Sequence, residues 1–460
     1  MRGVTHPWIG RTGSVNLGVL TQWVTPQVVA QATAGRSAHR GRRPGALPTV
    51  FTAYFELALA LFAQDSYEDV VDNLVSAIPE LREHAPAKSS LVAARRRLGE
   101  AAMRALFEQV AAAPVAGRHT RGARWRGYRT LAVDGFVLET PDTAQNRAYF
   151  GAPTNATAHD RLLGYPQARV VTLVETGTRA PVAGAIGTYH DGEPTLAYQL
   201  ACAVGAGDLV LFDRYFPSVR LWQAFAARGA ALVMRANTRI ARVDAQILAD
   251  GTYLAQMRVG GNPGRHNIEQ VTVRVVEYRG ECGGQTIRLL TNLLDTDAYP
   301  PAALAALYHE RWQHECSIHQ LKAHQHGPGV LRSRDPALAR QEIRAMLTVH
   351  HALTRLIAHI ADERGQDPER VSFTKILKDV RRSVIQQSTR TLAAATRRAL
   401  DIADDLRRYL NPLRRDPRTG SRTLKRIRQR YKLRPATSRG TPVTTKTPPK
   451  TITLHPIVAT

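Results

Sequence analysis

The sequence predicts an α/β protein in which a helical region precedes the sheet and a basic tail follows it. Between Arg129 and Arg235, short runs of β-branched residues alternate with stretches of helical periodicity, the pattern of an α/β sheet. Upstream of this region, apolar residues recur at helical spacing instead. The last 48 residues, 413–460, hold 13 Lys and Arg and one Asp. Their richness in Thr, Pro and Arg predicts a disordered basic tail that contacts phosphates without sequence preference.

The N-terminal part divides into a segment, 1–48, and a helical domain, 49–122. Residues 35–48 are basic and rich in Gly and Pro, so they form a connector at the end of the first segment. Apolar spacing predicts one helix from Val50 onward and a second helix over Tyr67–Ser76.

Three adjacent arginines mark the third predicted helix of this domain. It starts near Ser89 and carries Arg95, Arg96 and Arg97. Three short helices, the last of them basic, predict a helix-turn-helix-like domain in which these arginines bind DNA. A helical bundle with a solvated basic face explains the same pattern, and the sequence leaves both interpretations open.

The α/β region, 123–360, is the predicted catalytic domain. Between the acidic residues Asp213 and Glu315 lie 101 residues, too many for one loop and one helix. Alternating apolar runs and Gly-Gly turns predict that 237–294 is a β-rich insertion in this domain. A helical region, 361–412, follows. The predicted strands are Leu131–Val137, Arg169–Glu175, Pro181–Thr188, Leu209–Asp213 and Ala231–Arg235, and the predicted helices are Leu196–Val204, Val219–Arg228 and Asp335–Ile360.

Charge and composition narrow the class of partner. The net charge of +25 implies a polyanion, with nucleic acid first and an anionic membrane surface second. Three scattered cysteines exclude a disulfide framework and indicate a reducing compartment. The sequence has no apolar run of membrane-spanning length and no signal-peptide core, so we expect an intracellular protein.

Polar residues share one face of the helix predicted to follow the insertion. At 3.6 residues per turn, a stripe about 60° wide holds Tyr308, Arg311, Glu315 and Lys322. Such a stripe suits phosphate and metal ions better than it suits a protein core. Glu310 lies off the stripe and is not expected to take part.

Two predicted strands upstream each present an aspartate. Asp134 lies within the strand LAVDGF, and Asp213 ends the strand LVLFD, at the sheet edge where active sites of α/β proteins gather. A central-strand Asp is costly to bury alone, and either a metal ion or an Arg partner would offset that cost. Two aspartates and a glutamate on two strands and a helix can hold two divalent metal ions for phosphoryl transfer. Asp134, Asp213 and Glu315 are therefore the predicted catalytic residues and metal ligands.

A zinc site is the rival interpretation of this region. Five histidines and one cysteine crowd it, but their separations lack the tight pairs of structural zinc sites. We therefore expect the histidines to contact DNA or solvent. The residues concerned are His309, His314, Cys316, His319, His324 and His326.

The same residues resemble the DDE transposases of the bacterial insertion-sequence-four family. The family signature Tyr-x2-Arg-x3-Glu-x6-Lys is matched without a gap from Tyr308 to Lys322. The stretches DGFVLETPDTAQNRAYFG and DRYFPS, which begin at Asp134 and Asp213, resemble two further blocks of the family. The likeness extends over roughly residues 25–360, and Phe136 departs from it because the family often has a small polar residue there.

This resemblance implies a ribonuclease-H-like catalytic fold and a cut-and-paste transposase. It implies two Mg²⁺ ions, which Mn²⁺ can replace, held by the three carboxylates, with Arg311 and Lys322 neutralising phosphate oxygens and Tyr308 contacting the DNA backbone. The expected partners are double-stranded DNA at terminal inverted repeats, target DNA and a second copy of the chain, in the nucleoid of a bacterial cytoplasm. The insertion would shape DNA ends, with Tyr253 and Tyr278 as candidate stacking residues.

Two other functions remain open at this stage. One is a ribonuclease-H-like nuclease without strand transfer, and the other is a non-catalytic repressor or domesticated relic that binds DNA ends. The complete signature and the insertion argue against the nuclease, and the complete carboxylate set argues against the relic.

Overall fold

The computed structural model describes ten stretches of the 460-residue chain. These are residues 15–35, 47–76, 78–117, 119–153, 164–236, 246–258, 270–280, 286–386, 391–411 and 452–454.

The N-terminal region is helical, as its apolar spacing predicts. Its helices are α1 (Pro26–Thr33), α2 (Thr49–Leu61), α3 (Tyr67–Val75), α4 (Pro79–Arg82) and α5 (Lys88–Ala111). A reciprocal capping box between Ser66 and Asp69 starts α3, because each side chain satisfies a backbone N–H of the first turn. The third predicted helix, α5, is 24 residues long rather than short, and it bends at Gly99, whose φ is 75°.

The central sheet has the α/β order expected of a crossover fold. Strands β4, β3, β2, β5 and β6 lie side by side, with β3 antiparallel to both of its neighbours and β2, β5 and β6 parallel. The elements are β1 (Arg124–Trp125), β2 (Tyr128–Glu139), α6 (Ala144–Phe150), β3 (Gln167–Glu175), β4 (Ala180–Gly187), α7 (Glu193–Tyr198), β5 (Asp208–Phe212), α8 (Val219–Ala226) and β6 (Ala231–Arg235). The one displaced element is the helix predicted over Leu196–Val204, which begins at Glu193 and ends in a 3₁₀ turn, Gln199–Ala203.

The β-rich insertion continues this sheet instead of forming a separate layer. Its strands are β7 (Gln246–Ile247), β8 (Tyr253–Arg258), β9 (Gln270–Gly280) and β10 (Ile287–Thr291). Strand β10 pairs antiparallel with β6, so insertion and catalytic strands share one hydrogen-bonded ladder. Tyr253 and Tyr278 are both buried in it. The expectation that they stack on DNA bases is therefore wrong for this conformation.

Helices dominate the C-terminal part. They are α9 (Pro301–Tyr308), α10 (Trp312–His319), α11 (Pro336–Asp362), α12 (Phe373–Gln386) and α13 (Leu392–Asp404). The Asp335 side chain caps α11 by accepting from the Leu338 N–H at 3.0 Å. Buried residues of α11 join α2, α5, α12 and α13 in one hydrophobic core. The helical regions predicted as separate domains, 49–122 and 361–412, therefore meet on a helix of the predicted catalytic domain.

The predicted tail contains one strand. Strand β11 (Ile452–Leu454) pairs antiparallel with the end of β9, in the register Ile452↔Gly280. Disorder is thus the wrong prediction for these three residues, and the rest of 413–460 lies outside the described residues. Within the described stretches, no helix combines the length and the apolar character needed to cross a lipid bilayer.

Candidate active site

The two predicted aspartates lie side by side on neighbouring strands of the central sheet. Strands β2 and β5 are parallel, and Val133 pairs with Phe212 at the last rung of their ladder. The next residue on each strand is Asp134 and Asp213, so the two carboxylates leave the sheet edge side by side, about one strand spacing apart. The Arg214 backbone N–H donates to Asp213 Oδ1 at 2.6 Å, and the Gly135 N–H donates to Asp134 Oδ1 at 2.8 Å. The backbone N–H of the following residue thereby orients each aspartate side chain.

The segment that carries the predicted stripe is not one continuous α-helix. Helix α9 ends at Tyr308, a 3₁₀ turn covers His309–Arg311, α10 covers Trp312–His319, and a π-helix covers Gln320–His326. The regular α-helical spacing that predicts the polar stripe therefore applies only to α10 and the turn before it. Lys322 lies in the π-helix, where the extra residue per turn changes the direction of its side chain.

Arg311 holds two of the three predicted carboxylates together. Its Nη1 donates to Asp134 Oδ2 at 3.1 Å, and its Nη2 donates to Glu315 Oε1 at 2.8 Å. Its guanidinium is mostly buried. Burial alone would lower its pKa, but the charges of Tyr308, Asp213 and Asp134 outweigh burial, so the pKa of Arg311 is raised. One guanidinium thus faces Asp134, Asp213 and Glu315, and its charge offsets part of their mutual repulsion.

Tyr308 is buried beside this cluster. It is 6% exposed, and its hydroxyl has no hydrogen-bond partner among the described residues. Burial raises its pKa, and the charges of Arg311 and Asp213 act on it. A buried phenol without a partner is unusual. It marks a polar position that a ligand or water in the site would satisfy.

A fourth carboxylate, Glu193, lies in the same site and carries no signal in the sequence. It is the first residue of α7, and burial raises its pKa, with the nearby charges of Asp134 and Asp213 raising it further and Arg169 opposing them. The Nη1 atom of Arg169 lies 3.7 Å from Glu193 Oε1. Only the crossing of α7 behind β2 brings this residue to the sheet edge.

The sequence also does not single out the exposed side chains next to Asp213. Tyr215 is 66% exposed, and the Arg214 guanidinium lies 5.0 Å from the centre of its ring. In the 3₁₀ turn before α10, Glu310 faces Glu369 and Asp367 instead of Asp134 and Asp213, in line with its place off the predicted stripe.

The three predicted DNA-binding arginines of α5 point in different directions. Arg95 is 1% exposed and donates to both Glu56 oxygens, at 2.5 and 2.8 Å. It cannot reach DNA in this conformation, so its predicted role is wrong, because its side chain faces the helical core. Arg96 is 65% exposed, with Asp335 at 3.5 Å, and Arg97 is partly exposed.

Two of the five histidines are not surface residues. His314 is fully buried, with its Nε2 at 3.0 Å from both the hydroxyl and the carbonyl oxygen of Thr172. His326 is also buried, so the expectation of DNA or solvent contact fails for both. His319 and His324 pack edge to face at the surface. Among the described residues, no three His, Cys, Asp or Glu side chains are arranged to hold an ion.

The donor set nevertheless fits divalent cations. Asp134, Asp213 and Glu315 supply the oxygen ligands that Mg²⁺ and Mn²⁺ prefer. Arg311 lies between two of these carboxylates and would have to turn away for them to share a cation. The partnerless Tyr308 hydroxyl shows that the polar groups here are not yet fully satisfied.

Residues of the family-like block after Asp134 have structural roles. Asn146 is buried and donates to the Pro141 and Ser333 carbonyl oxygens at 3.0 and 3.1 Å. Asp142 pairs with Arg147, and hydrogen bonding from that arginine lowers the pKa of the carboxyl. This block therefore connects the strand of Asp134 to the start of α11.

Known proteins resemble the chain along most of its length. A family model described as "Insertion element 4 transposase N-terminal" matches residues 14–108, and one described as "Transposase DDE domain" matches residues 125–351. The chain is 27% identical over 369 residues to the Escherichia coli K12 protein "Transposase InsG for insertion sequence element IS4", covering 77% of this chain and 80% of that relative.

Two further similarities are weaker. "Putative transposase InsZ" of Escherichia coli K12 is 28% identical over 211 residues, which is 45% of this chain and 66% of that protein. A cryo-EM structure of the piggyBac transposase synaptic complex with hairpin DNA superposes with a TM-score of 0.43 at 12% identity, over 91% of this chain and 88% of that one.

Proposed function

Because the chain belongs to the insertion-sequence-four family of DDE transposases, we propose that it cuts DNA at the terminal inverted repeats of an insertion sequence and joins the released ends to target DNA. The observation that carries this proposal is the convergence of Asp134, Asp213 and Glu315 on Arg311, beside the end of strand β5. The site residues, the metal ions and the partners named below are parts of this proposal.

Asp134, Asp213 and Glu315 would hold two divalent cations, Mg²⁺ or Mn²⁺. Such ions supply an activated water or 3′-hydroxyl and stabilise the leaving 3′-oxygen in an in-line displacement. Mg²⁺ is the expected ion, because its octahedral geometry is commonly completed by one or two carboxylates and phosphate oxygens.

Arg311 acts first on the carboxylates and then on the DNA. Before DNA binds, its guanidinium neutralises Asp134 and Glu315 and keeps the site from expanding under its own negative charge. With cations held by the carboxylates, the guanidinium would be free to bind non-bridging oxygens of the scissile phosphate. The Tyr308 hydroxyl is placed to donate a hydrogen bond to the same phosphate or to its water. Lys322 has no ion pair among the described residues and would bind backbone phosphate farther along.

DNA would enter over the exposed residues beside the carboxylates. The exposed Tyr215 ring would stack on an unstacked base with the face away from Arg214, whose guanidinium lies over the other face. Arg96 and Arg97 on α5 would contact the DNA backbone of the inverted repeat. Bringing two transposon ends together requires two active sites, so we propose a homodimer on DNA, acting in the bacterial cytoplasm at the nucleoid.

The proposal is tested by the cation requirement of cutting. A supercoiled plasmid that carries the gene's own flanking ends is incubated with the full-length protein in EDTA, Mg²⁺ or Mn²⁺. We expect nicked plasmid with Mg²⁺ or Mn²⁺ and none in EDTA, and no nicking of a plasmid without the ends. Binding of the ends without nicking in either ion would favour the non-catalytic repressor, and nicking in EDTA would rule out the cation site.

The basic C-terminal segment provides a second test that leaves the active site untouched. Residues 414–450 contain all 13 Lys and Arg of the tail. Replacing them with Ser and Gln, while keeping β11, should weaken binding to any duplex and flatten its salt dependence. The logarithmic salt slope falls by about 0.9 for each phosphate contact that is lost. The control replaces the threonines of the same segment with serine, and an unchanged slope in the charge-depleted variant would refute the role of the segment.

A further inference from the structure

The start of α7 is fitted against the active-site strand by a glycine. A Cβ atom built on Gly135 would lie 2.6 Å from Glu193 Cδ and 2.7 Å from its Oε1. Any side chain at 135 would therefore displace the carboxyl group of Glu193. Strand β5 ends at Phe212 while β2 continues to Glu139, so no β5 residue fills the space beside Gly135. The absent side chain and the shorter strand together open the place that Glu193 occupies.

Glu193 lies beside the strand position that follows Asp134. Gly135 follows Asp134 directly, and the charges of Asp134 and Asp213 are both close enough to act on the Glu193 carboxyl group. The only cation that pairs with Glu193 among the described residues is Arg169, at the long distance of 3.7 Å. A partly buried carboxylate beside two others, with so weak a partner, is unfavourable unless something positive joins it.

The balance of charge shows what is missing. Four carboxylates, those of Asp134, Asp213, Glu315 and Glu193, face three guanidinium groups, those of Arg311, Arg169 and the exposed Arg214. The surplus is negative, and divalent cations would offset it. The buried Tyr308 hydroxyl is an independent sign of a missing ligand. The charge of Asp213 acts on it, and it has no hydrogen-bond partner in the described part of the chain.

We infer that Glu193 is a fourth carboxylate of the cation site and contributes, with Asp134 and Asp213, to holding a divalent ion. This inference rests on the proposed two-cation function and adds a residue that the three-carboxylate pattern does not contain. Its place on α7 also connects the site to the opposite face of the sheet, where Leu196 and Ala197 of the same helix are buried in the core.

The test is cation binding by the full-length protein without DNA. Mn²⁺ is titrated into wild type, Glu193→Gln, Asp213→Asn and Glu139→Gln, and free Mn²⁺ is followed by electron paramagnetic resonance. Glu139 is the matched control, because it is exposed on the same strand as Asp134 and an odd number of residues away, so it lies on the other face. The Mg²⁺ concentration for half-maximal nicking gives a second readout.

Glu193→Gln should weaken Mn²⁺ binding by roughly tenfold or more and raise the half-maximal Mg²⁺ concentration in proportion. Glu139→Gln should bind as wild type does. If Asp213→Asn loses the ion and Glu193→Gln keeps wild-type affinity and Mg²⁺ dependence, the role of Glu193 is refuted and the proposed function stands. If wild type and Asp213→Asn bind Mn²⁺ equally, both fail. Thermal unfolding midpoints check that the variants are folded. We expect them to match the wild-type midpoint, because the long Arg169–Glu193 contact contributes little to stability.

Discussion

Asp213→Asn is expected to abolish DNA cutting while DNA binding stays within a few-fold of wild type. Asp213 directly follows β5, level with Asp134 on the neighbouring strand, and its charge acts on Arg311 and Tyr308. Asparagine keeps the shape but removes the negative charge that holds a cation. We expect single-turnover nicking to fall by about a thousandfold, which corresponds to ~4 kcal/mol of transition-state free energy. Binding should persist because DNA is held mainly by basic residues elsewhere.

Asp208→Asn is the matched control for this experiment. Asp208 begins the same strand, at the end away from the site, where its carboxylate accepts from the Gly205 N–H at 2.9 Å. We expect its nicking rate to stay close to that of wild type. An Asp213→Asn protein that cuts at the wild-type rate, or an Asp208→Asn protein as inactive as Asp213→Asn, would refute the assignment of Asp213.

Glu56→Ala is expected to destabilise the protein by about 3–5 kcal/mol, the usual effect of removing one member of a buried ion pair. Glu56 on α2 is fully buried and accepts two hydrogen bonds from Arg95 on α5. Arg95 also donates to the hydroxyl groups of Tyr67 and Ser333. The alanine variant leaves an unpaired guanidinium in a core that joins the N-terminal helices to α11. Urea unfolding measures the loss.

The double variant Glu56→Leu with Arg95→Met separates the cost of an unpaired charge from the value of the pair. Because it removes both charges and keeps comparable volume, we expect it to recover most of the stability. It should also retain DNA binding, since Arg95 does not reach the surface. A double variant that is as unstable as Glu56→Ala, or one that loses specific DNA binding, would contradict this interpretation of Arg95.

The sequence predicts the sheet well because local patterns determine it. The β-branched runs around Asp134 and Asp213 match β2 and β5, and the parallel pairing of these two strands brings the two aspartates side by side. The predicted stripe correctly places Arg311 beside Glu315, because residues four positions apart are neighbours on a single helical turn. It fails to place Lys322, because a 3₁₀ turn and a π-helix interrupt the period.

Residues whose roles depend on distant partners could not be predicted. Arg95 looks like its neighbours Arg96 and Arg97 in the sequence, and only the packing of α5 on α2 turns it towards Glu56. Glu193 follows a glycine and precedes a proline, a common start for a helix. Its place beside Asp134 depends on the crossover that returns the chain behind β2, which no local pattern records.

We propose that this transposase cuts DNA at the ends of its element with the carboxylates around Arg311. The most direct measurement is base-resolution mapping of the 3′ ends formed on a duplex carrying the gene's flanking ends, with wild type and Asp213→Asn side by side in Mg²⁺. The claim predicts 3′-hydroxyl ends at the element boundary with wild type and none with the variant. Cuts at scattered positions, or identical cuts with both proteins, would contradict it.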